Sequence, residues 1–367
     1  MQAPSKRTNL LIYSVSLVLA LLAGEAILRL AGARFSSSFY VLDQDRGWSL
    51  RPDARGDNTQ ENTVAIEINA AGQRDNIEHA FSKVPGTYRV ALLGDSFAEA
   101  FQVPLEQSIS KQLEKELNSC LGGQKAEVIN FAVGGYGTQQ EILTYRLQAK
   151  QYNPDMVILL FYTGNDLYNN HPLLNPTNAD AAPYFDRPAM PKLSALGEGW
   201  RQINRHSHLA RMISDIYYKA RRNNIAGERR RAEAFGDNYM NKLVFSPSTH
   251  PEMIDAWAST EDALRAFPKE VRSKFLLAVV SSNFQVNPEP DKRSGFLAFS
   301  GATELFYAEK RLAALGLPTL LLGPPMLEAA EAKGTYFHGF AGSLGSGHWN
   351  AEGHALAAKL IGRKICN

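Results

Sequence analysis

Cysteine is nearly missing from this chain of 367 residues: there are only Cys120 and Cys366, neither in a CxxC pair nor beside a histidine at ligand spacing. That argues against a structural zinc site. A surplus of either charge is also lacking, since 39 Lys and Arg face 37 Asp and Glu for a net charge of +2. A balanced chain gives no electrostatic footprint for nucleic acid. Neither an internal repeat nor a long low-complexity block is present, so most of the chain must bury an ordinary core. No residue constellation calls for a metal or an organic cofactor.

The amino end is different. Lys6 and Arg7 precede an uncharged run from Asn9 to Gly24, and the helical pattern continues through Glu25 and Arg29. This is about one membrane span with charges at its far end that can snorkel to the surface. The rival is a secretory signal peptide, with small residues at cleavage spacing in Gly24-Glu25-Ala26 and Ala31-Gly32-Ala33. Charges at Glu25 and Arg29 spoil a neat cleavage region, which favours an uncleaved anchor over residues 1–35, with a short tail inside and the body outside the cytoplasm. Secretion after cleavage is the alternative.

Residues 36–87 form a lead-in: the polar, turn-rich VLDQDRGWSLRPDARGDNTQ, then the alternating TVAIEINAAGQR of an edge strand or small hairpin. From Tyr88 the pattern becomes strand then helix. RVALL precedes LEQSISKQLEKELNSC, EVINFAV precedes TQQEILTYRLQAKQY, and DMVILLFY runs into a loop at GNDLYNN. Apolar strands alternating with amphipathic helices predict a parallel sheet covered on both faces, an α/β domain over 88–367. Residues 168–300 read as a largely helical insertion, with Pro-rich loops and a basic helix; within it, periodicity does not assign SKFLLAVVSSNFQ to strand or helix. Helix and strand return in TELFYAEKRLAALGLPTLLLGPPM, and a closing helix begins just after GHWNAEGH.

The first strand breaks at Gly94-Asp95-Ser96, where an open parallel sheet presents its ligands. Alone, this is equally a polar turn capping the next helix. The next two strands, however, end in Gly134-Gly135 and in Gly164-Asn165-Asp166. A Ser96 amide, a glycine amide and an Asn side chain are the donors that a tetrahedral oxyanion requires. His348 sits on the loop before the closing helix, which a doubly wound fold returns to the edge holding Ser96.

The four blocks GDSF, VGGYG, TGND and GHWN, in that order, resemble the SGNH or GDSL-like family of serine esterases and acyltransferases. The resemblance covers residues 88–166 and about 316–362. It implies a flavodoxin-like three-layer α/β/α sandwich, Ser96 as nucleophile, His348 as base, and Ser96, Gly135 and Asn165 as the oxyanion hole. It also implies an acyl ester or acetylated carbohydrate as substrate, with no cofactor. The anchor, the GxR element at Ala71-Gly72-Gln73-Arg74 and the HWNAEGH close look most like bacterial members tethered to the inner membrane and found with surface-polysaccharide modification. In such a fold the first and last helices cover the same sheet face, so Cys120 and Cys366 would pair as a disulfide, permissible in an exported body.

One element of the family pattern is missing. The aspartate expected two or three residues before the histidine is replaced by Ser346 and Gly345. Three expectations follow: an ester hydrolase working with a Ser-His dyad, an O-acetyltransferase using the same residues, or an inactive polysaccharide-binding or assembly subunit. Asp95 more plausibly bonds backbone than replaces the acid, and Glu328 and Glu331 lie far from His348 in sequence. His171, His206, His208 and His250 read as structural or solvated. Trp349 reads as burial against the closing helix. The cluster Arg221, Arg222, Arg229, Arg230 and Arg231 reads as a solvated face or as an attraction to headgroups or an acidic polysaccharide.

Overall fold

The computed structural model describes residues 6–32, 39–175, 182–184, 199–200, 203, 207–214, 216 and 244–367. His206 and the arginine cluster at Arg221, Arg222, Arg229, Arg230 and Arg231 lie outside the described residues. The chain opens with α1 (Lys6–Leu30), whose segment Leu11–Leu30 is apolar and long enough to cross a membrane. Two antiparallel hairpins follow, β1 (Tyr40–Asp43) with β2 (Gly47–Leu50) and β3 (Arg55–Asn58) with β4 (Val64–Glu67). They are the form taken by the lead-in, whose alternating residues put Val64 and Ile66 inward with Phe39, Leu50 and Phe101 in a small core of their own.

The main body is one parallel sheet of β5 (Thr87–Gly94), β6 (Lys125–Asn130), β7 (Met156–Tyr162), β8 (Lys274–Val280) and β9 (Thr319–Leu321), in the order β6-β5-β7-β8-β9. That is the flavodoxin-like order, with its switch point between β5 and β7. KFLLAVV is thus a strand, and it belongs to the central sheet although it lies within the stretch read as a helical insertion. Strand geometry sends successive side chains to opposite faces, and the two cores divide accordingly. Val90, Leu92, Ile158, Leu160, Leu276 and Ala278 pack on one side against α3 (Ile109–Cys120), α9 (Gly323–Lys333) and α10 (Ala351–Cys366). Ala91, Leu93, Val157, Leu159, Leu277 and Val279 pack on the other against α4 (Thr138–Leu147), α6 (Pro251–Glu270), α7 (Pro290–Ser300) and α8 (Tyr307–Ala313). The result is a three-layer α/β/α sandwich.

Helices α3 and α10 lie side by side because Gly362 presents only hydrogen to Glu116; a Cβ there would stand 3.0 Å from Glu116 Cβ. Their ends meet, and Cys120 is joined to Cys366 with Cα atoms 6.1 Å apart. On the lead-in side, His79 bridges Asp75 and Glu127 at 3.2 and 2.7 Å, while Arg89 donates to Glu127 and Lys111 to Asp75. This partly buried network ties the lead-in to the sheet.

Candidate active site

Ser96 begins α2 (Ser96–Glu99), a single turn at the carboxyl end of β5. The turn into it is tight: Gly94 has φ +155°, and a Cβ there would lie 3.0 Å from Ala98 Cβ and 3.1 Å from the Leu160 carbonyl oxygen. Asp95 caps the turn, its carboxylate accepting from the Phe97 amide at 2.9 Å. Ala100, left-handed at φ 61°, ends it. The carbonyls of Glu99, Ala100 and Val103 are collected by buried Arg74, the arginine of the GxR element. Burial holds that guanidinium down at about 10. Arg74 is therefore a brace under the nucleophile turn.

His348 reaches Ser96 from the loop before α10, with Nε2 2.8 Å from Ser96 Oγ. Its Nδ1 lies 2.7 Å from Glu61 Oε1, and its backbone amide donates to Glu61 Oε2 at 2.9 Å. The position left empty by the missing aspartate is thus filled by a glutamate from the β3–β4 turn, 287 residues away in sequence. Burial alone would lower the imidazole's pKa, but hydrogen bonding and charge from Glu61 outweigh it and raise the value above the ordinary 6.5. The same contact outweighs the opposing effect of burial on Glu61 and holds its carboxyl below the usual range. Phe97 packs on the imidazole with ring centroids 5.0 Å apart.

The Glu61 turn is held in place from both sides. Asn58 Nδ2 donates to the carbonyls of Gln60 and Asn62, and Asn62 Nδ2 donates to the Gln102 carbonyl at 2.9 Å, which docks the turn beside α2. Glu61 itself is left-handed, at φ 62°, a conformation a glutamate adopts only when its surroundings enforce it. Opposite it, Gly347 is necessary in two ways: its φ is +76°, and a Cβ would stand 2.4 Å from Glu61 Oε2. A side chain just before the histidine would expel the acid.

Gly135 and Asn165 lie on the loops that follow β6 and β7. Glu99 accepts from the Gly134 amide at 2.8 Å, and Trp48 Nε1 donates to the Gly134 carbonyl at 3.0 Å. Because a trans peptide points its C=O and N–H in opposite directions, that bond turns the Gly135 N–H away from Trp48. Asn169 on α5 (Asp166–Asn169) holds the Gly135 carbonyl at 3.2 Å. Asn165 stands at the head of α5, where its side chain helps to oppose the upward push that burial gives the Asp95 carboxyl. Beneath these loops, burial holds the carboxyls of Glu141 and Asp166 well above the usual range, with repulsion from Asp95 adding to both. Burial likewise raises Glu99, to about 7.

The remaining residues singled out in the sequence lie elsewhere. His171 pairs with Asp255, His250 with Glu252 and His208 with Glu25. Glu331 is bound by Arg293. Trp349 is buried, edge-on to Phe97 and His354. Among the described residues no group of three or more His, Cys, Asp or Glu is placed to hold a metal. Glu61 is the one site residue the sequence reading missed, and the only available signal was a glutamate in a turn flanked by Asn58 and Asn62.

Residues 90–235 match the family model described as GDSL-like lipase/acylhydrolase. Over that span, less than half of the chain, the sequence is similar to a GDSL-like lipase/acylhydrolase domain. The matched span of the GDSL-like domain includes Ser96, Gly135 and Asn165 but neither Glu61 nor His348. No curated protein matches the chain. Among solved structures, a lipase/acylhydrolase from Enterococcus faecalis is 15% identical, covering 76% of this chain and 95% of its own, with a TM-score of 0.37. A catalytic mutant of the acetylxylan esterase Axe2 from Geobacillus stearothermophilus is 12% identical, covering 76% and 94%, with a TM-score of 0.39. Likeness at this level speaks to neither substrate nor mechanism.

Proposed function

We propose that this GDSL-like protein hydrolyses acyl esters through a triad of Ser96, His348 and Glu61. The observation that carries the reading is the unbroken chain of contacts, Glu61 to His348 at 2.7 Å and His348 to Ser96 at 2.8 Å. His348 takes the Ser96 proton as Oγ attacks the acyl carbonyl, and Glu61 stabilises the imidazolium that forms. The oxyanion is met by the amides of Ser96 and Gly135 and by the side-chain amide of Asn165. The imidazolium then protonates the leaving alkoxide. Water, deprotonated by His348, attacks the acyl-enzyme and releases the acid.

The reading of an inactive subunit rested on the missing aspartate, and Glu61 removes that support. The substrate class we assign is an O-acylated carbohydrate of the cell envelope, with α1 as a single-pass anchor in the inner membrane and the body outside the cytoplasm. The disulfide supports an oxidising compartment. Transfer of the acyl group to a sugar hydroxyl would use the same residues, with the acceptor replacing water.

The test is hydrolysis of an activated acetyl ester by the full chain in detergent, beside Ser96→Ala. Release of acetate that falls to the uncatalysed rate in the variant is the expected result. Equal rates in both would overturn the assignment.

A further inference from the structure

Glu25 is a charge placed inside an apolar helix, and it is not left to water. Its carboxylate accepts from Ser207 Oγ at 2.8 Å and from the amides of His208 and Leu209 at 2.9 Å each. Arg29 on the next turn of α1 donates to it at 2.7 Å. Glu25 therefore acts as the cap of a helix that belongs to another part of the chain, and it locks that helix to α1.

The lock sets a depth. Leu11–Leu30, at about 1.5 Å per residue, spans roughly the 30 Å of a hydrocarbon core. Glu25 lies five residues before Leu30, so it sits about 7.5 Å below the end of the span. Helical residues clamped there lie at the depth where interfacial helices bury their apolar face, about 5–10 Å. The described residues have such a face: Trp200, Ile203, Ile213 and Ile216 are 42–59% exposed. With Leu21 and Leu22 of α1, the first three line an open groove of about 750 Å³ that is almost wholly apolar. A patch this apolar, continuous with a membrane span, has no use for water.

We infer that the face carried by Trp200, Ile203, Ile213 and Ile216 is embedded in the body-side leaflet beside α1, and that phospholipid acyl chains fill the groove. This rests on α1 being a retained anchor. The Glu25 contacts themselves favour retention, since cleavage after α1 would strip the cap from the helical residues 208–214.

The experiment uses the full chain in phosphatidylcholine vesicles, with plain or brominated acyl chains, and compares its tryptophan emission with that of Trp200→Phe. Flotation after an alkaline wash is scored in parallel. The expected result is flotation of both proteins, with bromine quenching the emission component that Trp200→Phe lacks. Glu25→Ala should still float and still hydrolyse ester, yet lose most of the Trp200 quenching. Failure to float would overturn the anchor and this inference with it. Flotation with an unquenched Trp200 would overturn the inference alone. A Trp200 signal that depends on the protein-to-lipid ratio instead of on bromine would assign the face to a second copy. Undiminished quenching in Glu25→Ala would overturn the role of the clamp.

Discussion

Glu61 and His348 share two hydrogen bonds, one to the ring and one to the backbone. The carboxylate therefore fixes the tautomer and the position of the ring together. Glu61→Gln keeps the size and loses the charge, so it should lower kcat by about a thousandfold or more while leaving KM nearly unchanged. Its pH profile gives a second, independent readout. The base works only when neutral, so activity falls as pH drops through the His348 pKa, which Glu61 holds above 6.5. Removing the carboxylate should move that acid limb to lower pH. A variant with reduced kcat and an unmoved limb would mean that Glu61 only supports the fold.

Two elements must meet for the triad to exist: the β3–β4 turn and the loop that runs from α9 into α10. They meet through glycine. Gly347 lets the Glu61 carboxylate approach, and Gly339 and Gly345 take φ values of +85° and +79° to bend the same loop. Gly347→Ala should therefore act through Glu61 and not through the nucleophile. The expected loss in kcat resembles that of Glu61→Gln, and the double variant should lose little more than either single one. Steady-state kinetics of the three variants forms the cycle, and additive losses would show that Gly347 acts by another route.

For the molecule as a whole, the disulfide closes the first covering helix onto the last, across a sequence separation of 246 residues. A crosslink over so long a loop restricts the unfolded chain strongly and contributes about 2–5 kcal/mol. Reduction, or Cys120→Ser with Cys366→Ser, should lower Tm by several degrees when followed by thermal unfolding. Ester hydrolysis at room temperature should survive, because neither cysteine belongs to the proposed triad. An unchanged Tm would mean that α3 and α10 are already held by packing at Gly362 and Glu116.

Much of this protein was determined by local sequence. Continuous apolar strands with amphipathic helices between them specify a parallel sheet covered twice, because the period of each run dictates which faces are buried. Gly-Asp-Ser at a strand end, the glycines and the asparagine at the next two, and the late histidine are all short-range signals, and the family model matches from Val90 onward for the same reason. What only the tertiary structure decided is the acid. Glu61 lies in a polar turn whose local chemistry specifies only a turn, and the role proposed for it depends on the small core of Phe39, Leu50, Val64, Ile66 and Phe101, which holds the hairpins together. The strand identity of Lys274–Val280 was likewise settled by its partners β7 and β9, since a fully buried run has no period to read. A contact 287 residues apart leaves no trace in either segment's own pattern, because it is made by packing and not by propensity.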